Sequence, residues 1–164
     1  MATPTTLPAA FVAGDVLEAS QLNNLRGAFR VLQVVAATTS TQATSSSSAL
    51  ADTGLTATIT PSATSSKVLV YVSQNGVGKG NNAYAVIKLL RGATVINTLD
   101  ETAAYTNSAA ENRVGSVSGM YLDSPSTTSA TTYKTQFSSA LNNATVLVQS
   151  GNAASSIVLM EISA

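Results

Sequence analysis

Lys67–Asn75 reads KVLVYVSQN. Val68 to Val72 form an unbroken apolar, β-branched and aromatic run, which predicts a central strand covered on both faces. Pro61–Ser66 before it and the Asn75-Gly76 pair after it are turn chemistry, because Asn and Gly tolerate the positive φ of a tight reversal. A short strand bracketed by turns is the pattern to test along the rest of the chain.

Working outward, Leu55, Ala57 and Ile59 alternate in LTATIT, and Asp52-Thr53-Gly54 reads as the turn leading into that strand. Arg30–Thr38 is a further strand, too apolar on both sides for one face in water. The hydroxyl-rich stretch 39–48 suits strand edges. Downstream, Gly76–Asn82 reads as a turn. Its lysine lacks the following Ser or Thr and the spacing of a phosphate loop. Ala83–Leu90 and Thr94–Leu99 make a hairpin about Arg91-Gly92-Ala93. Val114–Leu122, Thr131–Ser138, Ala144–Gln149 and Ser156–Ile162 complete the series, separated by Asp123-Ser124-Pro125-Ser126, Asn142-Asn143 and Gly151-Asn152. Nine or ten short strands at intervals of roughly 8–15 residues predict an all-β, antiparallel β-sandwich of jelly-roll type. The first and last strands are expected to pair.

The N-terminal part differs. Met1–Ala10 has no periodicity and is expected to run extended as an arm. Gly14-Asp15 followed by Glu18, and Ser20 before QLNNLR, are helix-start signals. Leu22, Leu25, Phe29 and Leu32 are spaced as a brief heptad seam if the helix continues past Gly27, which fits either an inter-subunit bundle or a helix packed on its own domain. Two regions result: an attachment arm with one short helix over 1–28 and a sandwich over 29–164.

Composition narrows the chemistry. The 164 residues include no His and no Cys, 10% are charged, 45% are hydrophobic, and the formal net charge is zero. The absence of His and Cys excludes Ser-His-Asp and Cys-His nucleophile systems and the commonest zinc and copper ligand sets. No basic cluster marks a nucleic-acid or anionic-membrane surface. No apolar run approaches the ~20 residues of a membrane span, and no signal peptide is legible. Asp100, Glu101, Glu111 and Asp123 read as solvated surface acids, so no catalytic residue, metal site, cofactor or enzyme activity is assigned. Strands apolar on both sides with few charges predict a covered outer surface, hence a symmetric oligomer of identical chains. Tyr84, Tyr105 and Asn107 are candidate glycan contacts, an exposed ring and an amide being suited to sugars. Tyr121 and Tyr133, at or near strand ends, could also stack on a sugar, although a sandwich tyrosine more often packs its ring in the core.

Two motifs carry a resemblance over most of the chain: Gly14–Leu25, of pattern G-D-x-L-x-A-x-Q-L-N-x-L, and Asp52–Pro61, of pattern D-T-G-L-x-x-x-I-x-P. With these, the chain resembles small virion structural proteins of tailed bacteriophages, of the tail-fibre, head-fibre or capsid-decoration type. The resemblance implies a virion location and a homotrimeric β-sandwich knob. It also implies an N-terminal segment that attaches to another phage structural protein of the capsid, tail or baseplate. Phe11, Gly14, Asp15, Leu17, Leu22, Asn23 and Leu25 are then the expected attachment residues, and Leu22, Leu25, Phe29 and Leu32 the oligomer seam. A capsid cement protein and a module that binds or cleaves host surface glycans are the alternatives.

Overall fold

A computed structural model of the chain describes residues 30–141 and 144–163. It contains ten strands: β1 (Val31–Thr39), β2 (Ala43–Ser45), β3 (Ala51–Ile59), β4 (Lys67–Lys79), β5 (Tyr84–Arg91), β6 (Thr94–Ala103), β7 (Asn112–Asp123), β8 (Thr131–Ala140), β9 (Val146–Val148) and β10 (Ser155–Ile162). The one helical element among the described residues is a 3-10 turn, Ser150–Asn152. The expected arm, the short helix and all seven attachment residues lie outside the described residues.

β4 organises the first sheet. One edge pairs with β10 and then, at Gly78 and Lys79, with β9; the other pairs with β7. β1 and β2 lie beyond β10 and β9. The second sheet runs β3-β8-β5-β6. When the collinear pieces β1 with β2 and β9 with β10 are each counted as one interrupted strand, two four-stranded antiparallel sheets remain. The chain visits them in the order of a jelly roll. The first and last strands do pair, from Val31 opposite Ile162 to Thr39 opposite Ser155.

Three local readings differ from the sequence expectation. Asn75-Gly76 is no reversal: β4 runs on to Lys79, with a register shift against β7 between Gln74 and Val77. Gly76 takes φ +61° in that bulge, and a Cβ there would come within 2.4 Å of the Ser150 backbone nitrogen. Glycine therefore serves a close backbone approach rather than a hairpin. Asp52–Gly54 is likewise a bulge inside β3, where the pairing with β8 shifts between Asp52 and Thr56 and Gly54 takes φ +83°. Finally, β4 is covered on one face alone: Val68, Val70, Val72 and Gln74 are buried, whereas Tyr71 between them is exposed. The hairpin expected about Arg91-Gly92-Ala93 is present, with Arg91 still in β5 and the reversal made by Gly92 and Ala93 alone, Gly92 at φ +58° and Ala93 not left-handed, the pattern of a type II′ hairpin.

Two apolar clusters fill the space between the sheets. One joins Leu55, Ile59, Val70, Leu89, Tyr133 and Leu159; the other joins Val77, Ile87, Val117, Phe137 and Val148. A buried polar layer separates them at the level of the β4 bulge. The Thr135 hydroxyl donates to Gln74 Oε1 at 2.9 Å and lies 2.6 Å from the Thr53 hydroxyl, while Gln74 Nε2 donates to Ser155 Oγ at 3.0 Å. These bonds tie β3 and β8 of one sheet to β4 and β10 of the other. Thr135→Val keeps the shape and removes the donor to buried Gln74 Oε1, while the Thr53 hydroxyl keeps Thr135 O and the Leu55 amide, so it is expected to lower the unfolding free energy by about 1–3 kcal/mol in a denaturant titration. A loss below about 0.5 kcal/mol would mean that the layer contributes no more than an ordinary surface position.

Candidate functional site

The outer faces of the two sheets differ in chemistry. On the first sheet the outward positions of β1, β10, β4 and β7 line up in rows set by the strand register. One row is Val34, Met160, Leu69 and Leu122; the next is Ala36, Val158, Tyr71 and Met120. Met120 is 67% exposed, Val34 and Leu122 57% and Tyr71 40%. A hydroxyl row, Thr38, Ser156, Ser73 and Ser118, bounds this apolar field on one side. On the other lies Lys67, which donates to Ser124 Oγ at 2.7 Å. The field is contiguous across four neighbouring strands, unlike the scattered single apolar residues of an ordinary surface.

The outer face of the second sheet is mainly polar. Thr58 and Thr132 share a hydrogen bond at 2.8 Å, Lys134 pairs with Asp52 at 2.8 Å, and Lys88 donates to Thr98 Oγ1. The hydrogen bonds from Lys134 and Gln136 hold the Asp52 carboxyl below its usual range. A contiguous apolar outer face is thus a property of the first sheet; on the second, apolar residues such as groove-lining Val86 and exposed Val95 are scattered among polar ones.

Tyr84 and Tyr105, which sequence reasoning proposed separately, meet edge to face, with ring centroids 5.6 Å apart. Tyr84 begins β5, and Tyr105 stands on the loop between β6 and β7, with Asn107 exposed on the same loop. Beside Tyr84 an open groove of about 570 Å³ runs over β5 and β8, lined also by Lys88, Glu101, Thr102, Ser138 and Leu141. Tyr121 and Tyr133 do not reach a surface site: Tyr133 is buried in the core and Tyr121 packs against it. Leu32 lies in β1 rather than on a helix, so helical spacing cannot carry a seam to it. The other three seam residues lie outside the described residues.

The acids do not gather. Glu111 and Asp123 sit at opposite ends of β7, on the order of 35 Å apart by strand rise. Glu111 pairs with Arg113 and Glu101 with Lys88. Among the described residues no group of three or more carboxylates could hold a metal ion. Asp123 is not a surface acid. It is buried, receives the Tyr133 hydroxyl at 2.6 Å, and pairs with Arg91 at 2.9 Å. Burial, then the bond to Asp123, pushes the Tyr133 hydroxyl pKa up.

Glu161, also fully buried, was missed by sequence reasoning. Its Oε1 accepts from the Ser62 amide and hydroxyl, both at 2.6 Å, and its Oε2 from Gln33 Nε2 at 2.6 Å. A lone acid at an inward position of SIVLMEI was the available signal. Lys79 was read as part of a turn, yet its ammonium is wholly buried at the end of β4. It donates to the carbonyls of Asn81, Ser108 and Ala110, with Thr106 O at 3.4 Å.

No protein-family model and no curated protein matches this chain. The functional reading therefore rests on its two outer faces and on the groove. Each buried charge is engaged by partners within the sandwich: Lys79 by loop carbonyls, Glu161 by Ser62 and Gln33, and Asp123 by Tyr133 and Arg91.

Proposed function

We propose that the chain is a structural protein of a tailed-phage particle. In this reading it is a short trimeric fibre or knob, anchored through residues 1–28 and projecting outward, where it can meet the host surface. It performs no catalysis and uses no cofactor; its work is assembly. The observation that carries the reading is the apolar outer face of the first sheet, set against a polar second face. A surface of this kind is stable in water when another protein surface covers it. Identical copies closing around an axis are the common solution. The covering partner is taken to be a second and third copy because the field is bordered by hydroxyls and is nearly free of charge, so it can face itself without like-charge repulsion. The trimeric number follows the resemblance of the Gly14–Leu25 and Asp52–Pro61 motifs to phage virion proteins.

The cement alternative differs in what covers the first sheet. A reconstruction of a particle carrying this chain is expected to find three copies around one axis, their first sheets turned inward and their N-terminal segments on the particle. Single copies lying with the first sheet on the capsid shell would overturn the fibre or knob in favour of cement.

A further inference from the structure

We infer that the groove over β5 and β8 is a saccharide-binding site, with Tyr84 in its lining as the stacking ring, Tyr105, held edge-on against Tyr84, extending it beyond the lining, and Lys88, Glu101 and Thr102 as its hydrogen-bonding groups. It lies on the polar second sheet, so it does not depend on what covers the first.

The loop that presents Tyr105 is built from unfavourable parts. Burying an ammonium away from water is costly, and among the described residues no carboxylate pairs with Lys79. Its donors are directed to backbone carbonyls instead, including those of Ser108 and Ala110 in the 104–111 loop. Ala104, just before Tyr105, takes a left-handed φ of +61°, which is unfavourable for a residue with a Cβ. Asn112 Nδ2 donates to its carbonyl, and the Tyr105 amide donates to Thr102 O. A left-handed alanine within the loop and a buried cation at the end of β4 thus hold it in place, setting Tyr105 edge-on against Tyr84 while leaving it 45% exposed. A loop with no task beyond connecting β6 to β7 needs neither.

The chemistry of the lining points the same way. Lys88 and Glu101 approach only to 3.8 Å, and Glu101 is largely exposed. A loose pair of this kind offers a cationic donor and an anionic acceptor side by side, balanced in charge. The Thr102 and Ser138 hydroxyls lie in the same groove. Balanced charge discriminates against anions and cations alike, and an open groove of mixed lining, with Val86 and Leu141 beside the hydroxyls, suits a ligand that has both an apolar and a polar face. A neutral pyranose fits: its C–H face packs on an aromatic ring, and its hydroxyls both donate to carboxylate and accept from ammonium. The cleft at the β3 bulge, about 340 Å³ and lined by Asp52 and Lys134, contrasts with it. That cleft has no aromatic lining, and its ion pair is closed at 2.8 Å with Gln136 also bound to Asp52.

The test is a titration of the full-length chain, followed by amide NMR shifts, with the methyl glycosides of glucose, galactose, N-acetylglucosamine and rhamnose at millimolar concentration. At least one is expected to shift residues 84–88 and 101–107. Tyr105→Ala, at an exposed loop position, should weaken that binding about tenfold, while Tyr105→Phe keeps it within about threefold. Tyr71→Ala on the opposite sheet should leave it unchanged. The inference is overturned if none of the four glycosides shifts the groove, or if Tyr105→Ala binds as tightly as the parent.

Discussion

Met120→Glu combined with Leu122→Glu is expected to raise the dissociation constant of the proposed oligomer at least about 100-fold, while the sandwich stays folded. Both side chains project from β7 into solvent, so the isolated fold loses little when they change. In the proposed assembly the same positions would be buried, and neighbouring outward positions are Leu69, Tyr71, Val158 and Met160, none of which carries a positive charge. An unpaired charge in such a setting costs several kcal/mol, and 100-fold corresponds to about 2.7 kcal/mol. Sedimentation velocity over a concentration series reads the change, with circular dichroism checking the fold. Thr58→Glu on the opposite sheet is the control and should leave association unchanged. If the double variant associates like the parent, the first sheet is not the interface.

The second large effect concerns Glu161. Its carboxylate joins β10 to β1 through Gln33 and to the 60–66 connection through Ser62. Glu161→Gln places an amide donor where the carboxylate accepted, and is expected to cost about 2–3 kcal/mol of unfolding free energy. The effect should depend on pH. Burial alone would raise the Glu161 pKa, but the hydrogen bonds from Ser62, Gln33 and Ser66 outweigh it and hold the folded-state value at about 2, against 4.5 for the free group. The unfolded chain therefore binds this proton first as pH falls. The contribution of Glu161 is complete above about pH 4.5 and fades as the pH drops towards 2. In denaturant titrations the gap between parent and Glu161→Gln should be widest near neutrality and narrow through that window. A gap constant from pH 7 to pH 2 would show that the carboxylate is not the ionised acceptor described.

The alternation of Leu55, Ala57 and Ile59, the apolar runs of β4 and β10 and the Gly92 hairpin made the strands legible, because each signal is local. The pairing of β1 with β10 was legible from their shared apolarity. What was not legible depends on residues far apart in sequence. Asn-Gly serves a bulge as well as a turn, and the contact that decides for a bulge at Gly76 comes from Ser150. Gln33 and Glu161 are 128 positions apart, and nothing in either segment reveals the other. Lys79 looked like loop chemistry because the carbonyls around it belong to backbone of any sequence. At the site, Tyr84 and Tyr105 were recognisable as separate aromatics, but their contact follows from the 104–111 loop folding back over β5. The sorting of outer faces into one apolar and one polar sheet needed the topology, since outward residues of β1, β10, β4 and β7 become neighbours only through pairing.

The claim on which the assembly account stands is that sister copies cover the first sheet. The direct test is the mass of the full-length chain in solution at micromolar concentration, by light scattering coupled to size-exclusion chromatography. The account predicts a single species of three times the 16.6 kDa chain mass. A monodisperse 16.6 kDa species that stays monomeric as the concentration rises would contradict it.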